Sequence, residues 1–130
     1  MLNSLKMFGF GLVLVAGSAA AAGDGADPHA PAATLAGILA DMNHYPSDAD
    51  RRELDAIAAS DAVDDDLRAI ARAIAGIEHT PSAEAEARLN GILASEAATE
   101  AEKILAGAVL RFEHKASVED QSALERLAGQ

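Results

Sequence analysis

The sequence contains no cysteine among its 130 residues. Disulfide bonds are therefore excluded as a source of stability, and so are cysteine-based zinc sites, covalent haem attachment and thiol chemistry. Lipidation of a cysteine at an export-signal junction is excluded for the same reason. The fold must hold together without covalent cross-links.

Aromatic side chains are also scarce: tryptophan is absent, and Phe, Trp and Tyr together make up 3% of the chain. Beyond the first 22 residues, the aromatic side chains are Tyr45 and Phe112. A platform that stacks nucleic-acid bases or sugars needs several rings. The composition therefore argues against that class of binding site.

Basic residues are few as well, with 10 Lys and Arg against 21 Asp and Glu, which gives a net charge of −11. Loss of residues 1–22 would remove Lys6 and no acidic residue, so the net charge would become about −12. Such a surface repels phosphate backbones and anionic lipids. We expect no nucleic-acid or membrane partner. Cations or a basic protein are better candidates as binding partners. The alternative is that the negative charge serves only to keep an alanine-rich exported protein soluble.

The N-terminal segment has the order of a secretory signal peptide. Residues 1–6 include Lys6, residues 7–16 are apolar or glycine, and residues 17–22 are small. The apolar run is shorter than the roughly 20 residues that span a bilayer. We predict a signal peptide at 1–22 and a mature domain at 23–130 that is periplasmic or secreted and free of the membrane. An uncleaved anchor is the alternative.

A repeat of 35 residues organises the rest of the chain. The turns that begin at His44, His79 and His114 are each followed three residues later by serine. The predicted copies are 26–60, 61–95 and 96–130. Four positions are identical in all three copies: Ala36, Ala71 and Ala106; His44, His79 and His114; Ser47, Ser82 and Ser117; and Leu54, Leu89 and Leu124.

The spacing of the apolar positions predicts two helices in each copy. In the first copy the apolar residues fall at 35, 39 and 42, and then at 54 and 57, which are helical steps. Each repeated serine precedes a helical run, where its hydroxyl is expected to cap the helix. We predict helices at 31–44, 48–60, 65–79, 83–95, 100–114 and 118–128. The fold class is all-α: three tandem 35-residue helical hairpins, stacked as a short α-solenoid or as a compact bundle.

The period and the hairpin form are similar to the tetratricopeptide class, whose repeat has 34 residues. The Trp, Leu-Gly and Tyr positions of that pattern have no counterparts in this sequence. The similarity therefore implies no peptide-binding residues here.

The repeated histidines His44, His79 and His114 are the candidate metal ligands, because histidine is the commonest metal-binding side chain. Carboxylates near them in sequence could add to a site: Asp41, Asp48, Glu78, Glu113 and Glu119. The structural alternative places each histidine at a helix C-cap, where it interacts with the helix dipole. With helices about 8–10 Å apart, we expect at most two of the three imidazoles to reach one ion.

No catalytic motif or cofactor-binding motif occurs in the sequence. There is no Gly-x-Ser-x-Gly turn and no glycine-rich phosphate loop, and the acidic stretch at 60–66 lacks the glycine and glutamate of a calcium loop. We therefore expect a non-enzymatic exported repeat protein that binds or scaffolds a protein partner. A periplasmic divalent-metal binder that uses the three histidines is the alternative.

Overall fold

The computed structural model describes residues 29–129, which form six helices and no β-strand. The predicted signal peptide lies outside these residues. The helices are α1 (Ala30–Asp41), α2 (Asp48–Ala58), α3 (Asp65–Ala75), α4 (Ala83–Ala94), α5 (Glu100–Leu110) and α6 (Val118–Ala128). The all-α prediction is confirmed for this part of the chain. None of the described helices has the length and apolar character needed to cross a bilayer.

Serine caps start the second helix of every repeat, as predicted. The hydroxyls of Ser47, Ser82 and Ser117 each accept a hydrogen bond of 3.1 Å from the backbone N–H three residues on. Asp64 and Thr99 cap α3 and α5 in the same way. Since one such cap contributes about 1 kcal/mol, the local sequence fixes where these helices begin.

The first helices of the repeats, α1, α3 and α5, form the centre of the molecule and are called the inner helices. Each inner helix contacts the other two. Their facing side chains are buried, and the predicted apolar positions Leu35, Leu39, Ile70, Ile74, Leu105 and Val109 are among them. The remaining predicted positions, Met42, Ile77 and Phe112, lie just beyond the helices and are buried as well. Ala36, Ala71 and Ala106 are 0% exposed, so a small side chain lies in each helix where the inner helices pack.

The outer helices α2, α4 and α6 close the structure into a ring. Each packs more extensively against the first helix of the next repeat than against that of its own, and α6 packs against α1. Leu54, Leu89 and Leu124 are the fully buried anchors of these contacts. The repeats therefore form a closed bundle with approximate threefold symmetry rather than an open solenoid, and the tightly packed helix pairs cross the repeat boundaries.

Two of the three repeat interfaces carry an equivalent side-chain clamp. Arg51 donates to the carbonyl oxygen of Ala75 at 3.2 Å, and Gln121 donates to that of Ala40 at 3.2 Å. The register-equivalent residue of the remaining interface is Glu86, a carboxylate, which has no comparable N–H to donate. The symmetry of the ring is therefore broken at the interface between α4 and α5.

Candidate metal centre

The three repeated histidines lie beyond the inner helices. These helices end at Asp41, Ala75 and Leu110, and their C-cap residues are Met42, Gly76 and Arg111. The predicted helix ends at 44, 79 and 114 are therefore wrong by three to four residues. The histidines do not occupy the C-cap positions; they lie two to three residues beyond them, outside the helices.

The predicted inner helices were too long at their C-terminal ends because the apolar pattern continues past each helix. Met42, Ile77 and Phe112 are buried, yet they reach the core from the turn instead of from a further helical turn. The periodicity of apolar residues indicates that a position is buried, but it does not indicate whether the backbone at that position is still helical.

Each histidine has a left-handed backbone conformation, with φ of 66° at His44, 81° at His79 and 70° at His114. These are the positive-φ residues other than glycine in the described part of the chain. A side chain with a Cβ pays roughly 1–2 kcal/mol for this conformation. The shared positive φ shows that the three register-equivalent turns adopt the same backbone conformation.

A closed ring of backbone hydrogen bonds joins the three turns. The N–H of His44 donates to the carbonyl of His114 at 2.5 Å, that of His114 donates to His79 at 2.8 Å, and that of His79 donates to His44 at 2.9 Å. The ring ties the first, second and third repeats together at one end of the threefold axis. It holds the three Cα atoms close to one another, independently of the side-chain conformations of the histidines.

The imidazole rings converge above this backbone ring. Their centroids lie 5.2 Å apart for His44 and His79, and 5.0 Å apart for each of the other two pairs. One ring nitrogen from each histidine lies within 4.8 Å of the other two, and all three side chains are exposed. The expectation that at most two imidazoles could reach one ion is wrong, because the bundle closes on itself instead of extending as a row of rungs.

The upper limit of the distances between the three ring nitrogens, 4.8 Å, is larger than the distance between two nitrogen ligands of one metal ion. Three nitrogens at about 2.0–2.1 Å from a tetrahedral ion lie about 3.4 Å from one another. Because 4.8 Å is the upper limit of the present distances, a bound state requires a contraction of at most roughly 1.4 Å. Exposed side chains change rotamer in picoseconds to nanoseconds, so rotation of the imidazoles can supply this contraction without moving the backbone ring.

The carboxylates that were considered as further ligands do not join the cluster. The group of potential ligand atoms that the described residues bring together consists of the three histidines alone, without Asp41, Asp48, Glu78, Glu113 or Glu119. The donor set is therefore three imidazole side chains. Glu78 and Glu113, which precede two of the histidines, are exposed to solvent.

The opposite end of the threefold axis has different chemistry. The N-cap residues of the inner helices, His29, Asp64 and Thr99, line a cavity of about 380 Å³ there. Glu102 borders the cavity, and burial raises the pKa of its carboxyl group above the ordinary value, a shift that the hydrogen bond from the Thr99 backbone partly offsets. Asp64 and Glu102 are engaged in capping, as the acidic start of a helix predicts.

The third repeat contains a partly buried ion pair that the sequence pattern did not reveal. Arg111 donates to both carboxylate oxygens of Asp120, at 3.0 and 2.6 Å. The guanidinium holds the pKa of Asp120 below its usual value, while burial opposes this shift. The positions equivalent to Arg111 are Asp41 and Gly76, so no repeat pattern could have indicated the pair.

Comparison of the chain with protein-family models, with curated proteins and with solved structures gave no match. The functional argument therefore rests on the histidine cluster itself.

Proposed function

We propose that this protein binds one divalent transition-metal ion through His44, His79 and His114, with each repeat contributing one imidazole nitrogen. The observation that carries the proposal is the convergence of the three ring nitrogens within 4.8 Å of one another. Histidine occurs four times in the sequence, and three of the four lie in this one cluster.

The donor set favours particular metals. Imidazole nitrogen suits Zn²⁺, Cu²⁺, Ni²⁺ and Co²⁺, whereas Mg²⁺ and Ca²⁺ require oxygen ligands. Affinity for a nitrogen site generally rises from Co²⁺ through Ni²⁺ to Cu²⁺ and is lower for Zn²⁺ than for Cu²⁺. We therefore expect Cu²⁺ to bind most tightly, Zn²⁺ and Ni²⁺ to bind measurably, and Mg²⁺ and Ca²⁺ to have no effect.

The backbone supports the proposal because it holds the ligands in place before a metal arrives. The ring of N–H to carbonyl bonds fixes three turns whose histidines are 35 residues apart in sequence. In the unfolded chain the same three side chains would have to be brought together by closing two long loops, at an entropic cost. A metal should therefore bind the folded state in preference to the unfolded state.

Charge supports the proposal more weakly. The net charge of −11 raises the concentration of cations near the surface and opposes anionic partners. This effect does not distinguish one cation from another, so the imidazole cluster, and not the acidity, determines which metal is bound.

The test is a titration of the full-length, metal-free chain with Cu²⁺, Zn²⁺ and Mg²⁺, followed by calorimetry and by thermal unfolding. We expect one Cu²⁺ or Zn²⁺ ion per chain and no binding of Mg²⁺. At a free metal concentration of about 100 times Kd, the folded state should gain about 2.7 kcal/mol.

Two variants make the titration specific. Replacing all three ligands by glycine (His44→Gly, His79→Gly, His114→Gly) accommodates the left-handed backbone and removes the imidazoles, so binding should disappear while the helical circular-dichroism signal remains. His29→Gln, which changes the histidine outside the cluster, should leave binding unaltered. Equal metal affinity in the wild type and the triple variant would refute the proposal.

The expected protein-binding or scaffolding role stays a prediction, and so do the periplasmic or secreted location and the absence of enzymatic activity. Three large apolar side chains are exposed on the described helices and turns: Tyr45, Leu93 and Val118. Single exposed apolar residues are ordinary on protein surfaces, so these three select no partner and no docking surface.

A further inference from the structure

The histidine cluster offers three ligands, and the side of the cluster that faces the bundle is covered by protein. The backbone ring of His44, His79 and His114 lies on that side. Below it, Met42, Ile77 and Phe112, each two residues before a histidine, are at most 4% exposed and carry no carboxylate or imidazole. These three positions of the bundle interior therefore supply no carboxylate or imidazole as a fourth ligand.

The other side of the cluster opens to solvent. All three histidines are exposed, and the residues that flank them, Glu78, Glu113 and Lys115 among them, are exposed as well. No flanking carboxylate belongs to the ligand group. A divalent ion that is bound here keeps its full charge of +2, because imidazole is a neutral ligand, and it keeps at least one coordination position that faces water.

From this geometry we infer that water at the fourth position of the metal centre exchanges with a small monovalent anion from solution, such as a carboxylate. The inference rests on the proposed function, because it concerns the same site. Three protein ligands with an open position are the arrangement of reactive metal centres, whereas structural zinc sites use four protein ligands.

At the ion itself, local positive charge favours an anion over a neutral ligand, whereas the net charge of −11 opposes anions at longer range. The metal with three imidazoles would carry two positive charges, and the charged residues adjacent to the histidines in sequence, Glu78, Glu113 and Lys115, sum to one negative charge. One small anion offsets part of the remaining charge. It also displaces one water molecule without requiring the backbone ring to move.

The experiment uses the full-length chain loaded with Co²⁺, whose visible absorption depends on the number and type of its ligands. Azide is the probe, and acetate is added in competition with it. We expect a saturable change of the Co²⁺ spectrum with one azide per metal, reversed by acetate. The triple His→Gly variant should show only the spectrum of Co²⁺ in buffer.

The outcomes separate the two proposals. If Co²⁺ does not bind the wild-type chain, the proposed function fails. If Co²⁺ binds and azide leaves the spectrum unchanged, the inference is overturned while the metal site stands. Sedimentation then identifies the ligand that occupies the position: a doubled mass indicates a second copy of the chain, whereas a monomer that becomes azide-sensitive on Glu78→Gln and Glu113→Gln indicates a flanking carboxylate.

Discussion

Replacing the three cluster histidines by glycine should stabilise the metal-free protein. His44, His79 and His114 have φ between 66° and 81°, a region that costs a residue with a Cβ roughly 1–2 kcal/mol. Glycine avoids this cost but gains conformational freedom in the unfolded chain, which takes back about 0.4–1 kcal/mol. The two ranges leave a net gain between about 0 and 1.6 kcal/mol at each site, with a central value of about 0.8 kcal/mol.

The backbone ring makes this prediction possible. Its hydrogen bonds use N–H and carbonyl groups, which glycine retains, and the histidine side chains are exposed, so little packing is lost. If the sites act independently, the triple variant should gain about 2.4 kcal/mol at the central value. For a domain of this size, 1 kcal/mol shifts Tm by about 4–8 °C, so the rise in Tm should exceed the error of the measurement.

The assay is urea unfolding, followed by circular dichroism in the presence of a chelator. The matched control is the triple His→Ala variant, which also lacks the imidazoles but keeps a Cβ at each left-handed position. It should be no more stable than the wild type. If the glycine variant were less stable than the wild type without metal, the histidine side chains would be contributing to the fold, and relief of backbone strain would not be the dominant effect.

Three further changes test the packing and charge of the ring. Asp120→Asn should destabilise the protein by about 0.5–1.5 kcal/mol at neutral pH, a range that allows for the 62% exposure of the Arg111 side chain. Because the folded-state pKa of Asp120 is lowered, the ion pair stabilises above the ordinary carboxyl pKa and is lost as pH falls through the folded value, so urea midpoints of the wild type and the variant should converge in acid. Glu86→Gln should add about 0.5–1.5 kcal/mol by donating to the Leu110 carbonyl, the equivalent of the Arg51 and Gln121 clamps. Ala71→Leu should cost about 1–3 kcal/mol in thermal unfolding, because position 71 is fully buried between inner helices.

Each of these has a result that would contradict it. A gap between wild type and Asp120→Asn that persists unchanged into acid would mean that the pair with Arg111 does not stabilise the folded state. An equal gain from Glu86→Ala would show that removal of a charge, and not a new hydrogen bond, strengthens the interface between α4 and α5. An Ala71→Leu variant with unaltered Tm would show that the inner helices have room between them.

The local features of the fold could be predicted from the sequence because neighbouring residues determine them. Ser47, Ser82 and Ser117 cap the helices that they precede, since a hydroxyl reaches the N–H three residues on regardless of what else the chain does. The apolar period placed Leu35, Leu39 and their equivalents in the core because burial follows the helical repeat.

The candidate site could be predicted only in part. The 35-residue spacing singled out the histidines, but the helix ends were wrong, and at most two of the three imidazoles were expected to reach one ion. Neither glycine nor asparagine marks the left-handed positions at 44, 79 and 114, so no familiar turn signal revealed that the helices stop earlier. The Arg111 and Asp120 pair was also missed, because it occurs in one repeat only.

The sequence by itself determined that the chain forms capped, amphipathic helices in a threefold repeat, since propensity, capping and periodicity act over a few residues. The tertiary structure alone decided that the repeats close into a ring, because this depends on α6 packing against α1, two helices at opposite ends of the described chain. Ring closure brings His114 beside His44 and makes three separate turns into one cluster. The proposed metal centre follows from that long-range contact, which no local pattern specifies.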